Sequence, residues 1–446
     1  MNYVPHTDRD RSEMLAQIGV SSVDDLFSDI PREVRLERDL RLPEAMSEYE
    51  IARHMAALAA KNTTTDEVVS FLGAGSYDHF VPSVVRHIVS RSEFYTAYTP
   101  YQAEMSQGML QAIFEYQTLM CQLTAMDVSN ASLYDGATAV AEAATMACRH
   151  TRRQQVVASV AVHPEYRATL KTYARNLGID VTECGMRDGS TDLGELERLV
   201  SSRTACVVFQ NPNFLGSVEA MAAAAEIAHK QGALFVACVD PISLGILAPP
   251  GEYGADIAVG EGQGLGNPMS FGGPYLGFLA CRQEFIRNMP GRVAGETRDA
   301  QGRRGYILTL QAREQHIRRE RATSNICSNE ALLALATAVY LSWLGRDGIR
   351  EVADLCLQKA HYAFDRITAL PGFAPASSAP FFKEFAVRTP VPPEEVNAAL
   401  LRSRILGGLP LSRYYPDLGD VMTIAVTEKR TKDEIDSLCS ALEGLA

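Results

Sequence analysis

Two stretches of this sequence carry residue types that could do chemistry. The first runs from Gly254 to Pro274, where the apolar residues Ile257, Ala258 and Val259 give way to Gly260, Gly262, Gly264 and Gly266 and then to Ser270 and Gly272-Gly273-Pro274. Glycines permit backbone angles closed to other residues, so such a loop could cradle a phosphate on its N–H groups or present a nucleophile at a strand end. It contains no lysine, cysteine, histidine or arginine. The second runs from Phe94 to Gly108 and holds Tyr98, Thr99, Tyr101, Gln102 and Glu104 around Pro100. It reads as an ordered polar loop leading into a helix. A packed aromatic loop is the plain account of it; a lining that hydrogen-bonds a small polar substrate is the functional one, with His79 of the preceding Gly73–Pro82 segment beside it.

A third residue gives the first stretch a context. Asp240 ends the apolar run Ala233–Val239, and some 20 residues later come the second strand and the glycine-rich loop. Pyridoxal-phosphate enzymes use this layout: the aspartate pairs with the pyridinium nitrogen and a lysine from the later loop forms the Schiff base. The seven lysines here are Lys61, Lys171, Lys230, Lys359, Lys383, Lys429 and Lys432, and none lies between 230 and 359. The layout is present without its reactive group. Other chemistries have less support. Gly73-x-Gly75 and the glycines from 260 to 266 complete no G-x-G-x-x-G, and there is no G-x-S-x-G, no C-x-x-C and no histidine pair at metal-binding helical spacing. His79, His163 and His316 each stand alone.

The elements that must position these residues are legible from periodicity. Strands at 156–162, 179–184, 204–210 and 233–239 alternate with helices at 164–177, 193–200 and 218–230, and near-continuous apolar strands of this kind predict a mainly parallel sheet covered on both faces. Ligands on such sheets lie at the carboxyl ends of the strands, where Asn211, Asp240 and the glycine loop fall. Residues 1–70 read as a helical arm, with a serine-capped turn at 21–27 and a helix from Ser47 to Ala60. Residues 71–325 read as the large α/β domain, ending in an irregular arginine-rich stretch. Residues 326–446 read as a small α+β domain with helices near 332–344, 347–369 and 432–445 and short strands near 382–387 and 421–426.

Composition narrows the function. With 446 residues the chain exceeds one hydrophobic core. A net charge of -12 argues against nucleic acid as a partner, and the arginines between Arg303 and Arg321 read as a solvated or partner-facing stripe. Nine scattered cysteines read as reduced thiols of a cytoplasmic protein, and no stretch is long and apolar enough to suggest a membrane span.

Taken together, Gly73-Ala74-Gly75-Ser76-Tyr77-Asp78-His79, the run Tyr98 to Gly108, Asn130-Ala131-Ser132-Leu133-Tyr134-Asp135 and Ala322-Thr323-Ser324-Asn325-Ile326-Cys327 resemble the glycine decarboxylase (P-protein) family of the glycine cleavage system. Within it the chain is similar to the first of the two chains of the split bacterial form. The resemblance implies the aminotransferase-like fold of fold type I pyridoxal-phosphate enzymes. It also accounts for the missing lysine: the family's two homologous halves share that fold, and only the second carries the lysine ahead of a Gly-Gly-Gly-Pro run. Counting back eleven residues from Pro274 puts Gln263 at that position, so this chain is expected to hold no cofactor covalently and Asp240 to be vestigial or structural. The implied enzyme is glycine dehydrogenase (aminomethyl-transferring), an α2β2 assembly with subunit 2. It decarboxylates glycine on pyridoxal phosphate bound by the partner and passes the aminomethyl group to the lipoyl arm of H-protein. His79, Tyr98, Thr99, Tyr101, Gln102 and Glu104 are then the candidates for lining the substrate site or lipoyl channel. A scaffold that contributes no active-site groups is the rival reading, and a stand-alone pyridoxal-phosphate enzyme is disfavoured for want of the lysine.

Overall fold

The computed structural model describes residues 5–445. Contacts divide the chain after Thr63. Among its described residues the first unit holds two helices, Asp8–Ile18 and Glu48–Ala59, and two 3-10 turns, Asp24–Phe27 and Arg32–Val34. Both helices start in capping boxes, Thr7 with Asp10 and Ser47 with Glu50, which satisfy two otherwise orphaned N–H groups each. The first helix escapes the periodicity reading because its large apolar residues, Met14, Leu15 and Ile18, fall only in its second half; its start and its left-handed Gly19 cap define it instead. None of the described residues of this unit is buried.

The second unit is built on a seven-stranded sheet. Its strands lie in the order Val128–Ser129, Gly277–Cys281, Ile257–Glu261, Leu234–Val239, Thr204–Asn211, Gln155–Ser159, Asp180–Cys184; only Gly277–Cys281 runs antiparallel to its neighbours. Alternate side chains feed opposite cores. Val207, Phe209, Phe235 and Ala237 face the helices Gln107–Thr124, Met221–Lys230 and the first half of Ala331–Thr368, while Cys206, Val208, Val236 and Cys238 face Gly136–Thr151 and Pro164–Leu177. A strand buried on both faces has no polar side to show, which is why these segments read as unbroken apolar runs.

The helix Ala331–Thr368 breaks at Gly345 (φ 61°), stays in the sheet core as far as Cys356, and from Ala360 enters the core of a four-stranded antiparallel sheet built around Glu384–Arg388 and Val421–Ala425. The segment read from sequence as irregular contains a hairpin, Val293–Arg298 with Arg304–Thr309, seated on Met109, Leu110 and Ile113 through Tyr306 and Leu308. The two sheets are joined tightly. Val218 N–H donates to Pro380 C=O at 2.7 Å and Ser217 and Phe381 form a bridge, while Ala425 N–H donates to Phe71 C=O at 2.9 Å and ties the segment ahead of Gly73 to the small sheet. At Gly216 (φ +89°) an added Cβ would stand 1.9 Å from the Glu384 carbonyl oxygen. Gly216→Ala is therefore expected to cost at least ~2 kcal/mol, from left-handed strain plus a backbone clash, read as a lower urea midpoint.

Candidate functional site

Asp240, Glu261 and Asn211 end adjacent strands, so their side chains and loops meet at one edge of the sheet, as the topology requires of a ligand site. Here that edge is filled by the chain's own groups. Lys383, at the entry to a strand of the small sheet, places its Nζ 2.7 Å from Asp240 Oδ2 and 3.7 Å from the centre of the Tyr77 ring. It also donates to His79 Nε2 at 2.9 Å, which leaves the ring proton on Nδ1 to be given to Glu428 Oε2 at 2.6 Å. The Gln263 amide clasps the backbone of Tyr77 from both sides, accepting from its N–H at 2.9 Å and donating to its C=O at 3.1 Å, and donates again to Asn267 C=O at 2.8 Å. The Tyr77 hydroxyl donates to Glu384 Oε2 at 2.7 Å, and the other oxygen of Glu384 accepts the Ala74 N–H at 2.9 Å.

The electrostatics follow from this closure. Burial, then the carboxylates of Glu384 and Asp240, push the Tyr77 hydroxyl well above its ordinary range. Burial also raises Glu384, and lifts Glu261 to about 7 against three backbone N–H donors, those of Leu276, Gly136 and Gln263. Glu428 goes the other way. Burial would raise it, but the His79 ring, which donates to it through Nδ1, and the Phe80 N–H hold it at about 2.

Pyridoxal phosphate does not fit this site. Residue 263 offers an amide already engaged on both sides, and the carboxylate that would face a pyridinium nitrogen is paired with an ammonium. The remaining cavity, lined in part by Tyr77, Asp240, Gln263 and Lys383, has about 40 Å³. That is room for water, against roughly 300–1,000 Å³ for small-molecule pockets. Sequence reasoning missed Lys383, Glu384 and Glu428. The signal for the first two was a charged pair inside the apolar run Phe381 to Val387, since charges rarely enter buried strands unpaired.

The tyrosine loop lies in a second cluster. Tyr98 is 82% exposed and Tyr101 51%, Gln102 and Glu104 are exposed and Thr99 is half-buried. The Tyr101 hydroxyl accepts from Arg292 Nη2 at 2.9 Å, the guanidinium sits 5.3 Å from the ring centre, and His316 meets the ring edge-on at 5.7 Å. Arg292 is buried and also donates to the Cys327 carbonyl. A cavity of about 610 Å³ opens here, lined by Tyr101, Arg149, His316, Arg319, Asn325 and Cys327 among others. Tyr101 of the 98–104 loop and the segment 322–327, far apart in sequence, thus share one wall, while Tyr98, Thr99, Gln102 and Glu104 are not among its lining residues. His79 is not part of it: it is buried with Lys383 and Glu428 at the sheet edge.

Comparison with known proteins agrees with this architecture. The family model described as glycine cleavage system P-protein matches residues 1–442. A probable glycine dehydrogenase (decarboxylating) subunit 1 of Moorella thermoacetica is 55% identical over 445 residues, and one of Carboxydothermus hydrogenoformans is 56% identical over 444, each covering both chains in full. A crystal structure of glycine decarboxylase (P-protein) of the glycine cleavage system, in inhibitor-bound form, superposes with a TM-score of 0.92 at 46% identity over the whole of both chains. A Burkholderia pseudomallei sphingosine-1-phosphate lyase, at 16% identity and TM-score 0.65 over 92% of each chain, shares the fold. By family match, full-length relatives and backbone alike, this chain belongs to the glycine cleavage system P-protein family.

Proposed function

We infer that the chain is the subunit without the Schiff-base lysine in a glycine dehydrogenase (decarboxylating) and completes an active site whose pyridoxal phosphate is carried by a lysine of subunit 2, in an α2β2 enzyme of the cytoplasm. The observation that carries this reading is the contrast between the two clusters. The sheet edge that would hold the cofactor is filled by Lys383, His79 and Tyr77, while Tyr101 stands half exposed on the wall of a roomy cavity with charged and polar walls, and Tyr98 of the same loop is exposed. In this reading that wall faces glycine or the lipoyl arm of H-protein. Glycine loses its carboxylate as carbon dioxide. The electron pair left on the methylene carbon reduces the lipoyl disulfide, giving one sulfur that bears the aminomethyl group and one thiol.

This chain's part is to bind, orient and exclude water, with Arg292 fixing Tyr101 and Tyr101 fixing the neighbouring His316 edge. Purified alone, it should show neither visible absorbance of bound cofactor nor glycine–bicarbonate exchange. Mixed with subunit 2 and pyridoxal phosphate, both should appear. A yellow, active protein from this chain by itself sinks the proposal.

A further inference from the structure

Asp240 closes the central strand of the sheet with its side chain largely buried. An unpaired carboxylate in such a place is costly, and in enzymes of this fold the compensating positive charge belongs to the cofactor ring. In this chain it comes from Lys383, which reaches across from the small sheet. The ammonium does three things at once: it pairs with Asp240, lies against the Tyr77 ring and donates to His79. His79 passes the link on to Glu428, which follows the strand Val421–Ala425 of the small sheet. The segment from Gly73 to Phe80 is therefore held between the two sheets by side chains alone. Gln263 fixes Tyr77, Glu384 fixes Ala74 and the Tyr77 hydroxyl, and Glu428 fixes His79 and the Phe80 N–H.

We propose that Lys383 is a built-in replacement for the cofactor: it supplies the charge that Asp240 needs, occupies the space of the ring, and locks the small sheet and the 73–80 segment onto the large sheet without any ligand. The proposal rests on the reading that the catalytic cofactor is held elsewhere, and it deepens that reading by saying what this chain gained when the anchor lysine was lost. Restoring lysine at 263 would not by itself restore a cofactor site, because the charge partner and the volume are already taken. An ion pair in this position also predicts a specific non-additivity. Removing the ammonium alone strands a buried carboxylate, whereas removing both charges does not.

The test uses the isolated full-length chain, so its outcome is independent of the partner-mixing experiment. In Lys383→Met, amide hydrogen exchange in residues 73–80 and 421–428 should quicken roughly a hundredfold, the equivalent of breaking one buried ion pair, while the amides of Thr204–Asn211 keep their protection. The double variant Lys383→Met/Asp240→Asn should return most of that protection. Gln263→Lys equilibrated with pyridoxal phosphate and then dialysed should retain no visible absorbance. The proposal is overturned if Lys383→Met exchanges at the wild-type rate, if the double variant is no better protected than the single one, or if Gln263→Lys alone turns yellow.

Discussion

Tyr101→Phe lowers glycine–bicarbonate exchange by the assembled two-chain enzyme about 10- to 100-fold and leaves the melting of the isolated chain unchanged. The substitution deletes one oxygen. The ring is half outside the protein and keeps its edge contact with His316, so folding loses little. What is lost is the acceptor that Arg292 Nη2 meets at 2.9 Å. Arg292 is buried and shares its remaining donors with the carbonyl of Cys327 and with Asn329, so freeing it changes the wall of the 610 Å³ cavity at several points together. Removing one preorganised polar contact, or shifting a reacting group by about 1 Å, typically costs on the order of 10²-fold. Tyr98→Phe combined with Tyr101→Phe is the decisive measurement: exchange at the wild-type rate in that double variant removes the loop from the active site and leaves the chain a scaffold.

Glu428→Gln destabilises the chain by about 3 kcal/mol at pH 7, and the wild type forfeits the same amount in acid. The folded chain holds this carboxyl at about 2, below the ordinary 4.5. A carboxyl with a lowered folded value stabilises fully above its unfolded value, and the gain is lost as pH falls through the folded one, here from near 5 down through 2. Glutamine keeps the shape but puts an NH2 in place of one of the two oxygens that now accept, one each, from the His79 Nδ1–H and the Phe80 N–H. Urea denaturation of both proteins from pH 6 to pH 2 checks the sign. The gap between them should close toward zero in acid, and a gap that stays constant shows that Glu428 acts by shape and not by charge.

Much of the scaffold was legible because its signals are local. Parallel strands buried on both faces appear as apolar runs, and the segments read at 156–162, 204–210 and 233–239 lie over the strands Gln155–Ser159, Thr204–Asn211 and Leu234–Val239. The helix Pro393–Arg402 was overlooked although Pro393 opens it and Glu394 and Glu395 occupy its acidic first turn. The hairpin at 293–309 gave no apolar alternation to find, since its exposed positions and the turn at Asp299–Gly302 break the pattern. The site was legible only in part. Gln263 could be located by counting from Pro274, but nothing local links His79 to Lys383, 304 residues away, or Tyr101 to Arg292, 191 away. Those pairings are made by the fold, which brings the start of a small-sheet strand under the end of a large-sheet strand in the first case and the residue ahead of the 293–309 hairpin against the tyrosine loop in the second.

Cysteine chemistry offers a handle on the Tyr101 cavity. Of the nine thiols, only Cys327 is exposed, and it stands on the wall of the cavity beside Tyr101. Burial raises the other eight, holding even the half-covered Cys121 at about 11, so little of any of them is present as the reactive thiolate at neutral pH. The native chain therefore carries a single addressable thiol on the wall proposed to face glycine or the lipoyl arm. A fluorophore coupled there needs no engineered cysteine, and its colour and anisotropy would report the moment that wall is covered.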